Sequence, residues 1–178
     1  GCGGVGVLIS KKLSNICVFK PINERILQLD IKLSNKNLCF ICIYSPTSCN
    51  AESASNFYVT LSAHLDTLPS RCSLFIVGDF NATLPRSTDH RFAFIGKMNK
   101  NSSLFEQLLL EHQLLSLGCV FKKKKSQVHT FNGPKRPKKS KLKSSSIRKA
   151  QIDHMVTSKR DKRMVTNRPA SPALIKVS

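Results

Sequence analysis

Polar side chains lie at the ends of three apolar stretches, and their types suit phosphate chemistry. Tyr44 ends one apolar run, and Asp79 and Asn81 follow a second. Asp153 lies in a third. A carboxylate beside an amide can orient a nucleophilic water and hydrogen-bond a phosphate oxygen, and a phenol adds a donor. Strand ends in a central sheet are where α/β folds place ligands, so these four side chains, here called the polar rim, are predicted to converge.

Each member of the polar rim also has a purely structural interpretation. An Asp-x-Asn sequence after a strand is typical of an Asx turn, and a lone tyrosine is typical of a partly buried core position. Asp153 is harder to explain this way, because a buried unpaired acid is costly. On extended backbone Asp79 and Asn81 would point the same way, with Phe80 turned into the core. Gly78 would allow a ligand to approach the backbone closely.

The apolar pattern predicts the strands and helices that must position the polar rim. Runs of four to eight apolar or alternating residues favour strands, and a 3.6-residue spacing favours helices. Short links favour mostly antiparallel pairing in a layered α/β fold. The expected strands are 5–9, 16–19, 25–31, 38–44, 74–77, 128–131 and 152–156; the expected helices are 51–68 and 103–117, the second capped by Gly118.

The charge is concentrated in one part of the chain. The 178 residues suit a single domain, 1–178, with a net charge of +19 from 29 Lys+Arg and 10 Asp+Glu. Hydrophobic content of 40% excludes disorder throughout, and no apolar run reaches the roughly 20 residues that span a membrane. Residues 122–149 hold 12 of the basic residues and no acid, and 133–149 is predicted to be a basic loop. A polyanionic partner would offset this charge.

Three interpretations of the basic residues stay open. They can grip a nucleic-acid backbone through salt-dependent, sequence-independent contacts. Residues 134–139 also match a nuclear-localisation pattern. The third interpretation is a solvated insertion without a partner. The basic side chains assigned to backbone contact are Lys122, Lys123, Lys124, Lys125, Lys135, Arg136, Lys138 and Lys139.

Cysteine usage indicates a reducing compartment. The seven cysteines are odd in number and lie mostly in apolar stretches, which favours an intracellular location. Cys39 and Cys42 have CxxC spacing, but in a strand they face opposite sides of the sheet. No second pair follows at zinc spacing, so they are predicted to be core residues. The chain starts at Gly1 without a recognisable signal peptide, and we expect both ends to be cuts through a longer protein.

Five motifs, taken in order, carry a resemblance to a known superfamily. They are a glycine-rich strand at 3–7, Tyr-Ser-Pro at 44–46, Gly-Asp-Phe-Asn at 78–81, His-Thr-Phe at 129–131 and Gln-Ile-Asp-His at 151–154. This arrangement resembles the endonuclease/exonuclease/phosphatase superfamily. Within it, the arrangement is most similar to endonuclease domains of non-LTR retrotransposons and the craniofacial-development-protein-2-like sequences related to them.

The resemblance implies a four-layered, deoxyribonuclease-I-like α/β sandwich, incomplete at both termini, that hydrolyses phosphodiesters with Mg²⁺, or Mn²⁺ as an alternative. By that analogy Asp79 positions or activates the water or leaving group, and Asn81 and Tyr44 bind the scissile phosphate. Thr130 supports that phosphate, and Asp153 completes the acidic edge. The implied partner is DNA, and the protein is expected to bind it as a monomer in the nucleus. In the full-length protein this domain would be fused to a reverse transcriptase.

The resemblance has departures that bear on activity. The superfamily's amino-terminal Asn and its metal-ligand Glu precede the glycine-rich strand, where this chain begins. Its closing Ser-Asp-His, which supplies the general base, would follow Ser178. His154 is expected to face away from the polar rim. We therefore expect this chain not to catalyse the reaction by itself. Two alternative functions stay open: a non-catalytic nucleic-acid-binding remnant and a phosphatase of the same fold.

Overall fold

The computed structural model describes residues 4–47, 49–87, 89–91, 93, 98–122, 124, 128–133 and 149–165. These residues form a six-stranded sheet with helices on one face, and a separate two-stranded sheet. The strands are β1 (Cys17–Asn23), β2 (Ile26–Lys32), β3 (Asn37–Tyr44), β4 (Ser73–Asp79), β5 (Leu114–Ser116), β6 (Phe131–Asn132), β7 (Lys149–Ala150) and β8 (Asp153–Ser158). The helices are α1 (Ala51–Asp66), α2 (Lys100–Glu111) and the short α3 (Leu117–Val120).

The large sheet has the order β1-β2-β3-β4-β8-β5. All neighbours pair antiparallel except β3 and β4, which are parallel and joined through α1. The predominance of antiparallel pairs agrees with the sequence prediction. Strand β4 therefore lies between β3 and β8. Its carboxyl end is beside the end of β3, which runs parallel to it, and beside the start of β8, which runs antiparallel.

Alternation along the strands separates a helix-facing side from the opposite side. Cys39, Ile41 and Ile43 of β3 are buried in one core cluster together with Leu61 of α1 and Phe105 of α2. Cys42 points to the other side and is only partly buried. The expected division of the CxxC pair between two faces is confirmed.

Helix α1 follows its predicted span closely, whereas α2 begins and ends earlier than predicted. Asn50 caps α1 through its side chain, which accepts from Ser53 N at 3.0 Å. The prediction of a second helix over 103–117 with Gly118 as its cap is wrong. The helix ends at Glu111, and Gln113 turns the chain with a positive φ of 52°. The apolar stretch Leu114–Ser116 is then buried as a strand against β8, so pairing overrides helical spacing there.

Two of the predicted strands differ in the structure. Residues 5–9 belong to no strand, because none of the strands that the structure describes pairs with them. Of the segment predicted at 128–131 only Phe131 belongs to a strand, Phe131–Asn132, which pairs with Lys149–Ala150. The predicted strands at 25–31, 38–44, 74–77 and 152–156 are confirmed, with boundaries shifted by one to two residues. The strand predicted at 16–19 is also present, as β1, and it extends further, to Asn23.

The sheet and its helical layer confirm the predicted α/β class. Within the described ranges no helix combines the length and apolar character needed to cross a bilayer. The basic loop predicted at 133–149 lies outside the described residues except for Gly133 and Lys149.

Gly78 is required by the close contact between β3 and β4. Its φ is +142°, and a Cβ built there would collide with the carbonyl oxygen of Ile43. We expect Gly78→Ala to lower the free energy of unfolding by about 3 kcal/mol or more, because strain and overlap add. Urea unfolding measures this change. Gly4→Ala is the matched control, since a Cβ at Gly4 meets nothing within 4 Å. Equal midpoints for the two variants would contradict the prediction.

Candidate functional site

Strand register brings three members of the polar rim together. Tyr44 is the β3 partner of Asp79, and Asp79 is the β4 partner of Asp153 in β8. Neighbouring strands lie about 4.8 Å apart, and residues in register point to the same face. These three side chains therefore form a row on the face opposite the helices. The predicted convergence of the strand ends is present in the structure.

The turn after β4 holds Asn81 in a conformation that its sequence spacing did not predict. Asn81 has a φ of 47°, so it does not continue the extended strand. Its backbone N–H donates to Asp79 Oδ1 at 2.7 Å, which is an Asx turn. The expectation that the Asp79 and Asn81 side chains project in parallel from extended backbone is wrong. The Asx turn that we gave as the structural interpretation of this pair is present. Phe80 is fully buried as expected.

The side chain of Asn81 is nevertheless held at the polar rim. Its Nδ2 donates to the carbonyl oxygen of Ser45 at 2.8 Å, the residue that follows Tyr44. An amide nitrogen carries two hydrogens, so this bond orients the group while a second hydrogen stays available. The Asx turn and the phosphate-binding interpretation are therefore compatible.

Asp79 has an unusual electrostatic environment. Burial raises its pKa to about 6, the bond from the Asn81 N–H opposes that shift, and the charge of Asp153 adds to it. Asp153 itself is exposed. One carboxyl at the polar rim is thus close to titrating near neutral pH, which is common at functional sites.

Thr130 supports the start of β8. Its Oγ1 accepts from the backbone N–H groups of Ile152 and Asp153, both at 3.1 Å. Its own N–H donates to Ala150 O at 2.9 Å. Thr130 therefore fixes the backbone from which Asp153 projects. A direct role on phosphate remains a prediction.

Arg25, in the turn between β1 and β2, contacts Tyr44 at the end of β3. Its guanidinium carbon lies 5.4 Å from the centroid of the Tyr44 ring, within cation–π range. Its Nη1 donates to Tyr44 O at 3.3 Å, and Tyr44 N donates back to Arg25 O at 3.0 Å. The Tyr44 side chain is 37% exposed, so it is a surface group of the polar rim and not a core residue.

Sequence reasoning missed a set of supporting side chains. Tyr58 of α1 donates from its hydroxyl to Phe80 O at 3.0 Å. From the start of α2, Asn99 donates to Asn81 O at 2.7 Å and Asn101 donates to Pro46 O at 2.8 Å. The missed signal was the Asn99-x-x-Ser102 spacing of a helix N-terminus, since α2 was predicted to begin later.

His154 is a structural residue, as its alternation with Asp153 predicted. It is buried between β5 and the segment after the Asx turn, with Nδ1 2.8 Å from Ser116 Oγ and Nε2 3.0 Å from Ala82 O. Its ring also packs edge-on against Phe80. Its side chain thus lies on the helix-facing side of the sheet, opposite the carboxylates.

The basic side chains assigned to nucleic-acid backbone are only partly described. Lys122 and Lys124 are exposed shortly after α3. The remaining predicted backbone-binding residues, Lys123, Lys125, Lys135, Arg136, Lys138 and Lys139, lie outside the described residues.

The chemistry of the polar rim fits a hard divalent cation. Asp79 and Asp153 present carboxylate oxygens side by side, and their mutual repulsion would be offset by a positive ion. Mg²⁺ is usually held by one or two carboxylates, with water and substrate phosphate completing its shell. Among the described residues no group of three His, Cys, Asp or Glu side chains forms a closed metal cage. The fit of the polar rim to a divalent cation therefore rests on the carboxylates of Asp79 and Asp153.

Comparison with known proteins gives a likeness in fold. No protein-family model and no curated protein matches the chain. Among solved structures it is similar to the endonuclease domain of TRAS1, a telomere-specific non-LTR retrotransposon, at 14% identity and a TM-score of 0.58. The match covers 88% of this chain and 61% of that domain, so this chain spans about three fifths of its length. An endonuclease/exonuclease/phosphatase family protein from Leptotrichia buccalis C-1013-b matches at 16% identity, with a TM-score of 0.48, over 75% of this chain and 42% of that one.

The first of these likenesses confirms the predicted fold class. The α/β architecture of this chain is similar to that of the TRAS1 endonuclease domain. At this identity the likeness concerns the fold alone, and the roles of individual residues rest on the geometry described above.

The raised pKa of Asp79 makes stability depend on pH. Because the folded pKa is about 6 and the ordinary value is 3.8, this group stabilises the fold most below pH 3.8 and loses that contribution as pH rises through 6. After allowing for solvent screening, we expect the free energy of unfolding to fall by about 1–2 kcal/mol more between pH 4 and pH 7 in this protein than in the Asp79→Asn variant. Urea unfolding of both proteins at pH 4 and pH 7 measures the difference. Parallel pH profiles would refute it.

Proposed function

We propose that this chain is the phosphate-handling part of a metal-dependent nuclease of the retrotransposon endonuclease type, acting on DNA phosphodiesters. The observation that carries the proposal is the register of Tyr44, Asp79 and Asp153 on three adjacent strands. The likeness in fold to a retrotransposon endonuclease domain supports the same reaction class. A phosphodiesterase needs donors for the phosphate oxygens and carboxylates for a cation or water, and both are present here.

Each side chain of the polar rim has a definite part in this proposal. Asn81, oriented by Ser45 O, donates to a non-bridging phosphate oxygen with its second amide hydrogen. Tyr44 donates its phenolic hydrogen to the same phosphate from the adjacent strand. Asp79, whose Oδ1 is taken by the Asn81 N–H, offers Oδ2 to the attacking water or leaving oxygen. Thr130 holds Asp153 in line with Asp79.

Asp79 and Asp153 would hold Mg²⁺. When bound, the ion supplies Lewis-acid stabilisation of the charge that develops on the phosphoryl and leaving oxygens. It would also lower the pKa of Asp79, since a nearby positive charge favours the carboxylate.

His154, the residue that follows Asp153, does not face the polar rim. His154 is directed to Ser116 and Ala82 on the other side of the sheet. The general-base histidine that the resemblance implies is thus not supplied by His154. We therefore propose that the 178-residue chain binds DNA without cleaving it, and that cleavage requires further residues.

Nicking of supercoiled plasmid tests the proposed reaction. A longer polypeptide that includes flanking sequence on both sides is expected to nick in Mg²⁺, and the 178-residue chain is not. Asp79→Asn in the longer polypeptide should lower nicking by about 100-fold, because a preorganised electrostatic group is lost.

Asp89→Asn is the matched control for this assay. Asp89 is exposed and paired with Lys159, which follows β8 at the end opposite Asp153. The same charge change there should leave nicking unaltered. Nicking that is indifferent to Asp79→Asn, or to removal of Mg²⁺ with a chelator, would refute the proposal.

Salt-dependent binding tests the DNA partner separately from cleavage. The affinity of the 178-residue chain for a duplex should fall steeply from 50 to 200 mM salt, because basic side chains release counterions from the backbone. Lys122→Ala and Lys124→Ala should each reduce the salt slope by about 1. Lys36→Ala, near the start of β3 and far from Tyr44, is the control. An affinity independent of salt would contradict this prediction.

A further inference from the structure

The first turn of α2 lies behind both loops that carry the polar rim. Asn99 is the N-cap of this helix, and its Nδ2 donates to Asn81 O at 2.7 Å. Asn101 is fully buried, and its Nδ2 donates to Pro46 O at 2.8 Å. The loop after β4 and the loop after β3 are therefore attached to the same helical turn.

The side chain of Asn99 serves two partners of opposite type. Its Oδ1 accepts from Ser102 N at 3.1 Å and from Ser102 Oγ at 3.0 Å. In return Asn99 N donates to Ser102 Oγ at 3.1 Å, which completes a capping box. Its Nδ2 meets the carbonyl of Asn81. A backbone N–H needs an acceptor and a carbonyl needs a donor, so one amide orientation satisfies both and the flipped orientation satisfies neither.

The backbone of Asn81 needs such support. A positive φ costs a non-glycine residue free energy, though asparagine tolerates it better than most. In this conformation the N–H of Asn81 reaches Asp79 Oδ1, and its side chain reaches Ser45 O. The bond from Asn99 holds the remaining backbone group, the carbonyl. The N–H, the carbonyl and the side-chain Nδ2 of Asn81 therefore each have a hydrogen-bond partner.

We propose that Asn99 is a positioning residue for the phosphate-binding amide of Asn81. This inference rests on the proposed function for the role of Asn81, but the contact on which it depends is independent of any ligand. Asn101 acts in parallel on the second loop through Pro46. The capping function of Asn99 alone would not require its Nδ2, which is the group that reaches the polar rim.

Two substitutions separate positioning from capping. Asn99→Asp and Asn99→Ser both keep a side-chain oxygen for the Ser102 N–H, and both remove the Nδ2 group that donates to Asn81 O. The serine variant also excludes an effect of added negative charge near Asp79. Asn50→Asp makes the same amide-to-acid change at the cap of α1, where the side chain accepts from Ser53 N, and is the matched control.

Hydrogen exchange of the Asn81 backbone N–H gives the readout that a merely structural role would not move. Its protection should fall about tenfold in both Asn99 variants, because the turn opens more readily, while protection of the β4 amides and the thermal midpoint stay near the parent values. Asn50→Asp should change none of these. Unchanged protection at Asn81, or an equal loss of protection throughout the sheet, would overturn the proposal.

Duplex binding in Mg²⁺ links the contact to function. We expect both Asn99 variants to weaken binding about fivefold at fixed salt, in the same direction as Asn81→Ala. If Asn81→Ala weakens binding and the Asn99 variants do not, positioning by Asn99 is refuted. If Asn81→Ala has no effect on binding, the phosphate role of Asn81 in the proposed function fails, while the exchange measurement still decides whether Asn99 holds the Asn81 turn.

Discussion

The close parallel contact between β3 and β4 is the constraint on which the polar rim depends. Gly78 lies against the carbonyl of Ile43, one residue before the position where Tyr44 and Asp79 come into register. A side chain at residue 78 would push the strands apart at this point, and the phenol and the carboxylate would no longer be neighbours. Pairing of β4 with β8 on its other edge then adds Asp153 to the row. One glycine thus sets the spacing between Tyr44 and Asp79, the members of the polar rim on β3 and β4.

The geometry of the polar rim is maintained by polar contacts as well as by strand pairing. Asp79 is partly buried beside another acid, an arrangement that raises its pKa and costs stability when it is ionised. The Asn81 N–H offsets part of that cost by donating to its carboxylate. The helical layer contributes from behind, through Tyr58 on Phe80 O and Asn99 on Asn81 O. An otherwise unfavourable acid is thereby held where it can act.

The sequence predicted the strands and the membership of the polar rim better than it predicted their local geometry. Strand ends are local features, so the polar residues after apolar runs could be located without tertiary information. The positive φ of Asn81 and the early end of α2 depend on contacts between distant segments. Leu114–Ser116 has helical spacing, yet it joins the sheet because β8 offers an unpaired edge. Asn99 was missed for the same reason, since its role as a cap follows from where α2 begins.

In the proposed function, two carboxylates at a site for phosphate pose an electrostatic problem that links the parts of this molecule. At short range Asp79 and Asp153 repel a phosphodiester, and neutral donors such as Asn81 and Tyr44 offset that repulsion only in part. Either a proton on Asp79 or a divalent cation between the acids removes it. Exposed lysines would act over the Debye length, about 8 Å in physiological salt, and so would raise local DNA concentration without cancelling the charge at the reacting phosphate. In the proposed function the basic side chains and the cation would therefore have separate tasks, and neither would replace the other.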